Sequence, residues 1–258
     1  MAAALSESQW IESIEKHYLE DFIPRGGSAV KFAACFPPVE PVELGWKLRD
    51  LAHGKGLLVS EVDASTCRVH MVNQFLGRIA DQIPWTQVSE RILASYARKN
   101  HWAVPDNFTS EGLAEQIAQT NQRSVQAISN VLEGEIDQGT LPDRQMAKDF
   151  RTAMFHLLRA RLFSGPASEM KQRHISDWLG GRTLAMSELR TLQIFSKVNR
   201  TNARHLLGSL IYWIRKAEFN GIAVVVNGSR LVASSRFTEG VNYTKASRVE
   251  AYQVFREF

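Results

Sequence analysis

Hydrophobic residues along this chain recur either about one helical turn apart or in short unbroken runs. Trp10, Ile14, Tyr18 and Phe22 follow the helical spacing, with Ile11 beside them, which predicts an amphipathic helix. Ser6-Glu7-Ser8-Gln9 supplies its capping box, and Pro24 marks its end. The aromatic stripe Trp10, Tyr18, Phe22 is read as its buried face. After the turn Arg25-Gly26-Gly27, the run Ala29-Val30-Lys31-Phe32-Ala33-Ala34-Cys35 suits a buried strand. Phe36 to Pro41 holds three prolines and cannot be regular structure. From Val42 a helix is expected through Leu44, Leu48 and Leu51 to Gly54, a candidate C-cap. Leu57-Leu58-Val59-Ser60-Glu61-Val62-Asp63 reads as the second strand. Two apolar runs linked by a helix predict a βαβ unit with a right-handed crossover, hence a parallel sheet.

Residues 64–219 read as mostly helical. Helical spacing appears over 69–82, 86–100, 109–135, 144–163, 185–195 and 199–218, with breaks at Pro84, Pro105, Pro142, Gly165-Pro166 and Gly180-Gly181. Ile222-Ala223-Val224-Val225-Val226 is the clearest strand, set between Asn220-Gly221 and Asn227-Gly228, and a last helix spans roughly 244–258. The expected organisation is an N-terminal helix (1–24), a first βαβ unit (25–68), a helical region (69–219) and a second core segment (220–258).

Composition narrows the classes. Of 258 residues, 44% are hydrophobic and 22% charged, as in folded globular chains. Cys35 and Cys67 stand alone, which argues against a disulfide framework or a zinc site on CxxC pairs. The seven histidines form no HExxH or i, i+4 pair, so no metal site is expected. No GxSxG elbow marks a nucleophilic serine. The first residues lack the basic start of a signal peptide, and no stretch reaches the roughly 18 apolar residues of a membrane span. A cytoplasmic protein without membrane contact is expected. The net charge of +4 and pI near 9.1 lean mildly toward acidic partners.

Several segments in fixed order then carry a resemblance. They are Arg25-Gly26-Gly27-Ser28-Ala29-Val30-Lys31-Phe32, Lys55-Gly56-Leu57-Leu58-Val59-Ser60-Glu61-Val62-Asp63, Asp177-Trp178-Leu179-Gly180-Gly181, Asn202-Ala203-Arg204, Phe219-Asn220-Gly221-Ile222 and Arg248-Val249-Glu250-Ala251-Tyr252-Gln253. Across most of residues 20–258 the chain resembles the P-loop ATP-binding proteins encoded with BREX and related bacterial phage-defence systems. The resemblance implies an α/β fold: a P-loop NTPase-like parallel sheet core with a large helical insertion, shortened at its C-terminal end.

The family's chemistry needs a glycine-rich loop whose amides cradle phosphates, with a lysine and a Ser/Thr beside it. Here the loop reads Cys35-Phe36-Pro37-Pro38-Val39-Glu40-Pro41-Val42-Glu43, with Pro41 in the lysine's place and Val42 in that of the Ser/Thr. The prolines remove amide donors, and Glu40 and Glu43 repel phosphate. Glu43 is expected in the first turn of the following helix, against the dipole. The alternative is that Arg25 or Lys47 swings in and rebuilds an anion site from side chains. The later strand ends in Asn227-Gly228, where the family carries magnesium-binding acids. The resemblance, read with these losses, implies a pseudo-ATPase without cofactor, serving as scaffold or regulatory subunit among other defence-system proteins. Two alternatives stay open: a DNA-binding component, and an ATP-binding protein with unconventional contacts.

The DNA alternative rests on basic residues. Arg159, Arg161, Lys171, Arg173, His174 and Arg182 flank Leu162-Phe163 and Trp178, and Lys197, Arg200, Arg204, Arg215 and Lys216 form a second cluster. Interleaved cations and aromatics suit nucleic-acid surfaces, though solvated helix faces look the same. Glu61 and Asp63 end the second strand, where open α/β sheets place functional groups.

Overall fold

The computed structural model describes residues 5–182, 184–233 and 237–256. They form two compact units, one from 1–82 with 219–258 and one from 83–218.

In the first unit, helix α1 (Glu7–Ile14) opens with the expected capping box: Gln9 N–H donates to Ser6 Oγ, and Ser6 N–H to the Gln9 side chain. The helix continues over Glu15–Phe22 with wider, π-type turns. Its aromatic stripe is not a core face, because Trp10 and Tyr18 are half-buried and Phe22 is exposed. Helix α2 (Pro41–Gly54) begins on Pro41, whose fixed φ and missing N–H suit a first helical position. Strand β1 (Leu58–Asp63) follows, then α3 (Val72–Ala80). The chain returns to this unit as β2 (Ile222–Asn227), the short α11 (Ser229–Val232) and α12 (Lys245–Arg256).

The expected P-loop NTPase-like parallel sheet core is not what forms. The protein is mostly helical, and its only sheet among the described residues has two strands, β1 parallel to β2, with Leu58 opposite Ile222 and Asp63 opposite Asn227. The βαβ unit expected between 29–35 and β1 is likewise absent, because 29–35 carries no strand. Val30 and Phe32 stay exposed. The Phe32 ring instead meets Tyr252 and Phe255 of α12, at 5.7 and 6.2 Å between centroids. The physical reason lies in composition: three alanines and a lysine give this run little apolar area and weak strand propensity, so its one large side chain decides where it rests. Lys31 turns back over the Tyr18 ring at 4.0 Å. β2 is rich in β-branched valine and isoleucine, and β1 brings the buried Leu58 and Val62 against it.

The second unit is all helical among its described residues: α4 (Trp85–Lys99), α5 (Leu113–Thr120), α6 (Val125–Thr140), α7 (Lys148–Leu162), α8 (Pro166–Leu179), α9 (Met186–Thr191) and α10 (Ala203–Lys216). Ile92, Leu93, Ile117, Ile128, Leu132, Ile136, Phe150 and Trp213 are wholly buried. Each such side chain contributes on the order of 2–3 kcal/mol to the core. The periodic stretch 109–135 is two helices rather than one. Asn121 ends α5 by donating to the carbonyls of Ile117 and Ala103, and Ser124 caps α6. α8 was not expected, and it starts on Pro166 after Gly165.

Candidate functional site

The degenerate loop sits at the start of α2. Val39 N–H donates to Phe36 C=O at 3.0 Å, closing a turn across Pro37 and Pro38. Glu40 caps α2 without a side-chain hydrogen bond, and Glu43 lies in its first turn, as expected. Arg25 and Lys47, the cations that could rebuild an anion site, are engaged elsewhere: Arg25 with Asp21 at 2.6 Å and Lys47 with Glu7 at 2.6 Å. Leu44 and Ala52 turn the inner face of α2 to the sheet, and Gly45 lets the helix approach Val225. The outer face mixes charged Glu43, Lys47 and Asp50 with exposed apolar side chains, and the loop before the helix adds another. Phe36, Val42 and Trp46 are 70%, 56% and 51% exposed, and 42 and 46 stand one turn apart on the same helix face.

α2 leads into β1 through a tight turn and therefore runs antiparallel to it, which brings its first turn to the carboxyl end of both strands. Asn227 and Gly228 are at that end too, so the structure gathers Pro41, Val42, Asn227 and Gly228 at one edge. The chemistry there is closed on itself. Asn227 Nδ2 donates to Asp63 Oδ2 at 3.3 Å, Ser65 N–H donates to Asp63 Oδ1 at 2.6 Å, and Ser229 N–H donates to Asn227 Oδ1 at 3.2 Å. Glu61 faces Arg49 at 3.6 Å. Beneath them, Tyr243 donates to Cys67 C=O at 2.6 Å and accepts from Val69 N–H. Burial pushes its hydroxyl above the ordinary value, and burial pushes up the Cys67 thiol despite nearby Arg78, which makes Cys67 a poor nucleophile. Sequence reasoning passed over Arg230, which stacks on Phe237 at 3.5 Å, and Arg248, which donates to Ala233 C=O.

The basic clusters of the second unit divide. Arg161 is 6% exposed. Its Nε and Nη2 donate to Glu90 Oε1 at 2.9 and 2.7 Å, and its remaining donors reach the carbonyls of Glu111 and Thr109. It staples α7 to α4 and the 109–111 loop, and is unavailable to any nucleic acid. Arg159 pairs with Glu133 and Arg182 with Asp177. Trp178 is buried and donates to Ser196 C=O at 2.8 Å, so it offers no stacking platform. Lys171, Arg173, Lys197, Arg200, Arg204 and Arg215 lie on the surface, while Lys216 is drawn to Asp143 at 3.1 Å. Arg159 and Lys171 both stand near His156, whose pKa falls through burial first, then through the positive charge of Lys171 and, more weakly, Arg159.

Sequence reasoning also missed Asp143. Burial pulls its carboxyl upward, but hydrogen bonds from Tyr212 (2.9 Å) and Lys216 outweigh that and hold it below the ordinary value. No sequence signal joins these residues; the fold alone does. Among the described residues no group of three or more His, Cys, Asp or Glu could hold a metal ion, and no helix is long and apolar enough to cross a membrane.

Fold and surface thus define a helix-rich protein with a small two-stranded parallel sheet and exposed apolar side chains at the sheet's carboxyl end. No family model matches the chain, and neither a curated protein nor a solved structure does.

Proposed function

We propose that this chain works by binding other proteins, as a scaffold or regulatory subunit of a bacterial phage-defence assembly, without nucleotide turnover at its 36–43 loop. The observation that carries the reading is the pair Val42 and Trp46, one turn apart on α2, with Phe36 on the loop before it, all more than half exposed. Side chains of this size gain most by leaving water against a partner, and an exposed tryptophan with an aliphatic neighbour one helical turn away has the make-up of a binding anchor. The resemblance in the order of the quoted segments supplies the defence setting. The DNA-binding alternative is weakened, since Arg161 is buried and Arg159 and Arg182 have carboxylate partners.

The test is co-precipitation of tagged protein from its native host, wild type against Trp46→Glu, with quantitative mass spectrometry. Defence-system proteins should be retained by the wild type and lost at least severalfold with Trp46→Glu, while the helical circular dichroism is unchanged. Equal recovery by both proteins contradicts the proposal. So does calorimetric binding of magnesium–ATP at micromolar affinity.

A further inference from the structure

The two outer edges of the sheet are treated differently. In the parallel ladder Leu58 N–H donates to Gly221 C=O and Ala64 N–H to Asn227 C=O. With Leu58 opposite Ile222, the backbone groups of Leu58, Ser60 and Val62 face β2, and those of Val59, Glu61 and Asp63 face outward. The outward edge of β1 is occupied by a side chain. Glu61 N–H donates to Gln82 Oε1 at 2.8 Å, and Gln82 Nε2 donates back to Glu61 C=O at 2.9 Å. One carboxamide therefore stands in for a neighbouring strand.

β2 has no such cover. By the same register, the N–H and C=O groups of Ile222, Val224 and Val226 point away from β1, and among the described residues none of them has a hydrogen-bond partner. The residues are half-buried, and no described protein group meets these donors and acceptors. The sequence Ile-Ala-Val-Val-Val also carries none of the charges, prolines or bulges that usually blunt a strand edge. An edge of this kind is complementary to one thing, an extended backbone with the same repeat.

We propose that β2 pairs with β2 of a second copy of this chain, antiparallel about a two-fold axis at Val224. The strand is self-complementary in that register. Val224 lies opposite Val224 of the second copy, and Ile222 opposite its Val226. Each outward N–H then meets an outward C=O, and no like charges face one another. The two sheets merge into one continuous four-stranded sheet with Gln82 closing both ends, and the contact is isologous and closed. A heterologous strand would satisfy the same backbone groups, but nothing else in the structure specifies one.

The test uses the full chain. Sedimentation equilibrium from about 1 to 500 μM should show a monomer–dimer equilibrium, and Val224→Pro should weaken it about tenfold or more. That substitution removes an outward donor while leaving every bond to β1 in place; its helical circular dichroism and melting point check that it folds. Independently of any variant, hydrogen exchange on the wild type should show amides 222, 224 and 226 protected only where dimer is present, while 223 and 225 are protected at every concentration. A protein monomeric throughout the range overturns the proposal. So does protection of 222, 224 and 226 in purely monomeric samples, or an unweakened dimer in folded Val224→Pro.

Discussion

Two glycines of α6 show how the same change can act in opposite directions at single residues. At Gly134 an added Cβ meets nothing within 4 Å, whereas at Gly139 it would lie 2.5 Å from the Tyr96 hydroxyl. Tyr96 is 9% exposed, so its ring cannot swing clear. Gly134→Ala should therefore stabilise the protein by about 0.5–1 kcal/mol, through reduced freedom of the unfolded chain. Gly139→Ala should destabilise it by about 1–2 kcal/mol from overpacking. Urea denaturation of the two variants side by side checks both signs, and stabilisation by Gly139→Ala would mean that Tyr96 is not held where the structure has it. Arg161 shows how far apart in sequence the partners of one side chain can lie. Its sequence neighbours, Arg159 and Leu162-Phe163, gave it the look of a surface cation beside aromatics. Glu90 and the carbonyls of Thr109 and Glu111, which bury it, lie 50 or more positions away, so no local pattern could reveal them.

Among the elements, what was legible is what local chemistry dictates. The capping box fixed the start of α1, the helix expected from Val42 starts one residue earlier on Pro41, and short apolar runs marked β1 and β2. Glu43 in the first turn of α2 followed from the same local reading. The strand expected at 29–35 was not legible, because a strand exists only through its partner, and here Phe32 finds α12 instead. α8 was overlooked because its buried residues, Ile175, Trp178 and Leu179, crowd its last turns and leave a polar first half without a stripe. The link between α7 and α4 offers a direct measurement. Arg161→Met should cost about 3–5 kcal/mol, since it leaves Glu90 as an unpaired, largely buried charge. Adding Glu90→Leu should recover most of that loss, so a double-mutant cycle should give a large coupling energy. Additive losses would show that the staple is not a pair.

On the scale of the whole molecule, the two units differ in what they leave at the surface. The second unit buries its apolar residues in a helical core and ties several cations to carboxylates. The first carries the sheet with its uncovered edge, the closed cluster at Asp63 and Asn227, and the exposed side chains Phe36, Val42 and Trp46. A sheet of two strands is small for a unit that must hold these features. Both proposed contacts fall on this unit, through α2 for other proteins and through β2 for a second copy. The role proposed above, phage defence through contacts made by α2, can be read in living cells. Its most direct measurement is the plating efficiency of phage on host cells lacking this protein, complemented with wild type, Pro41→Gly or the double variant Val42→Glu/Trp46→Glu. Wild type and Pro41→Gly should restore protection to the same degree, whereas the double variant, though folded and equally abundant, should plate phage as the deletion strain does. Full protection by the double variant, or no change in plating on deletion, would contradict a role in phage defence through α2.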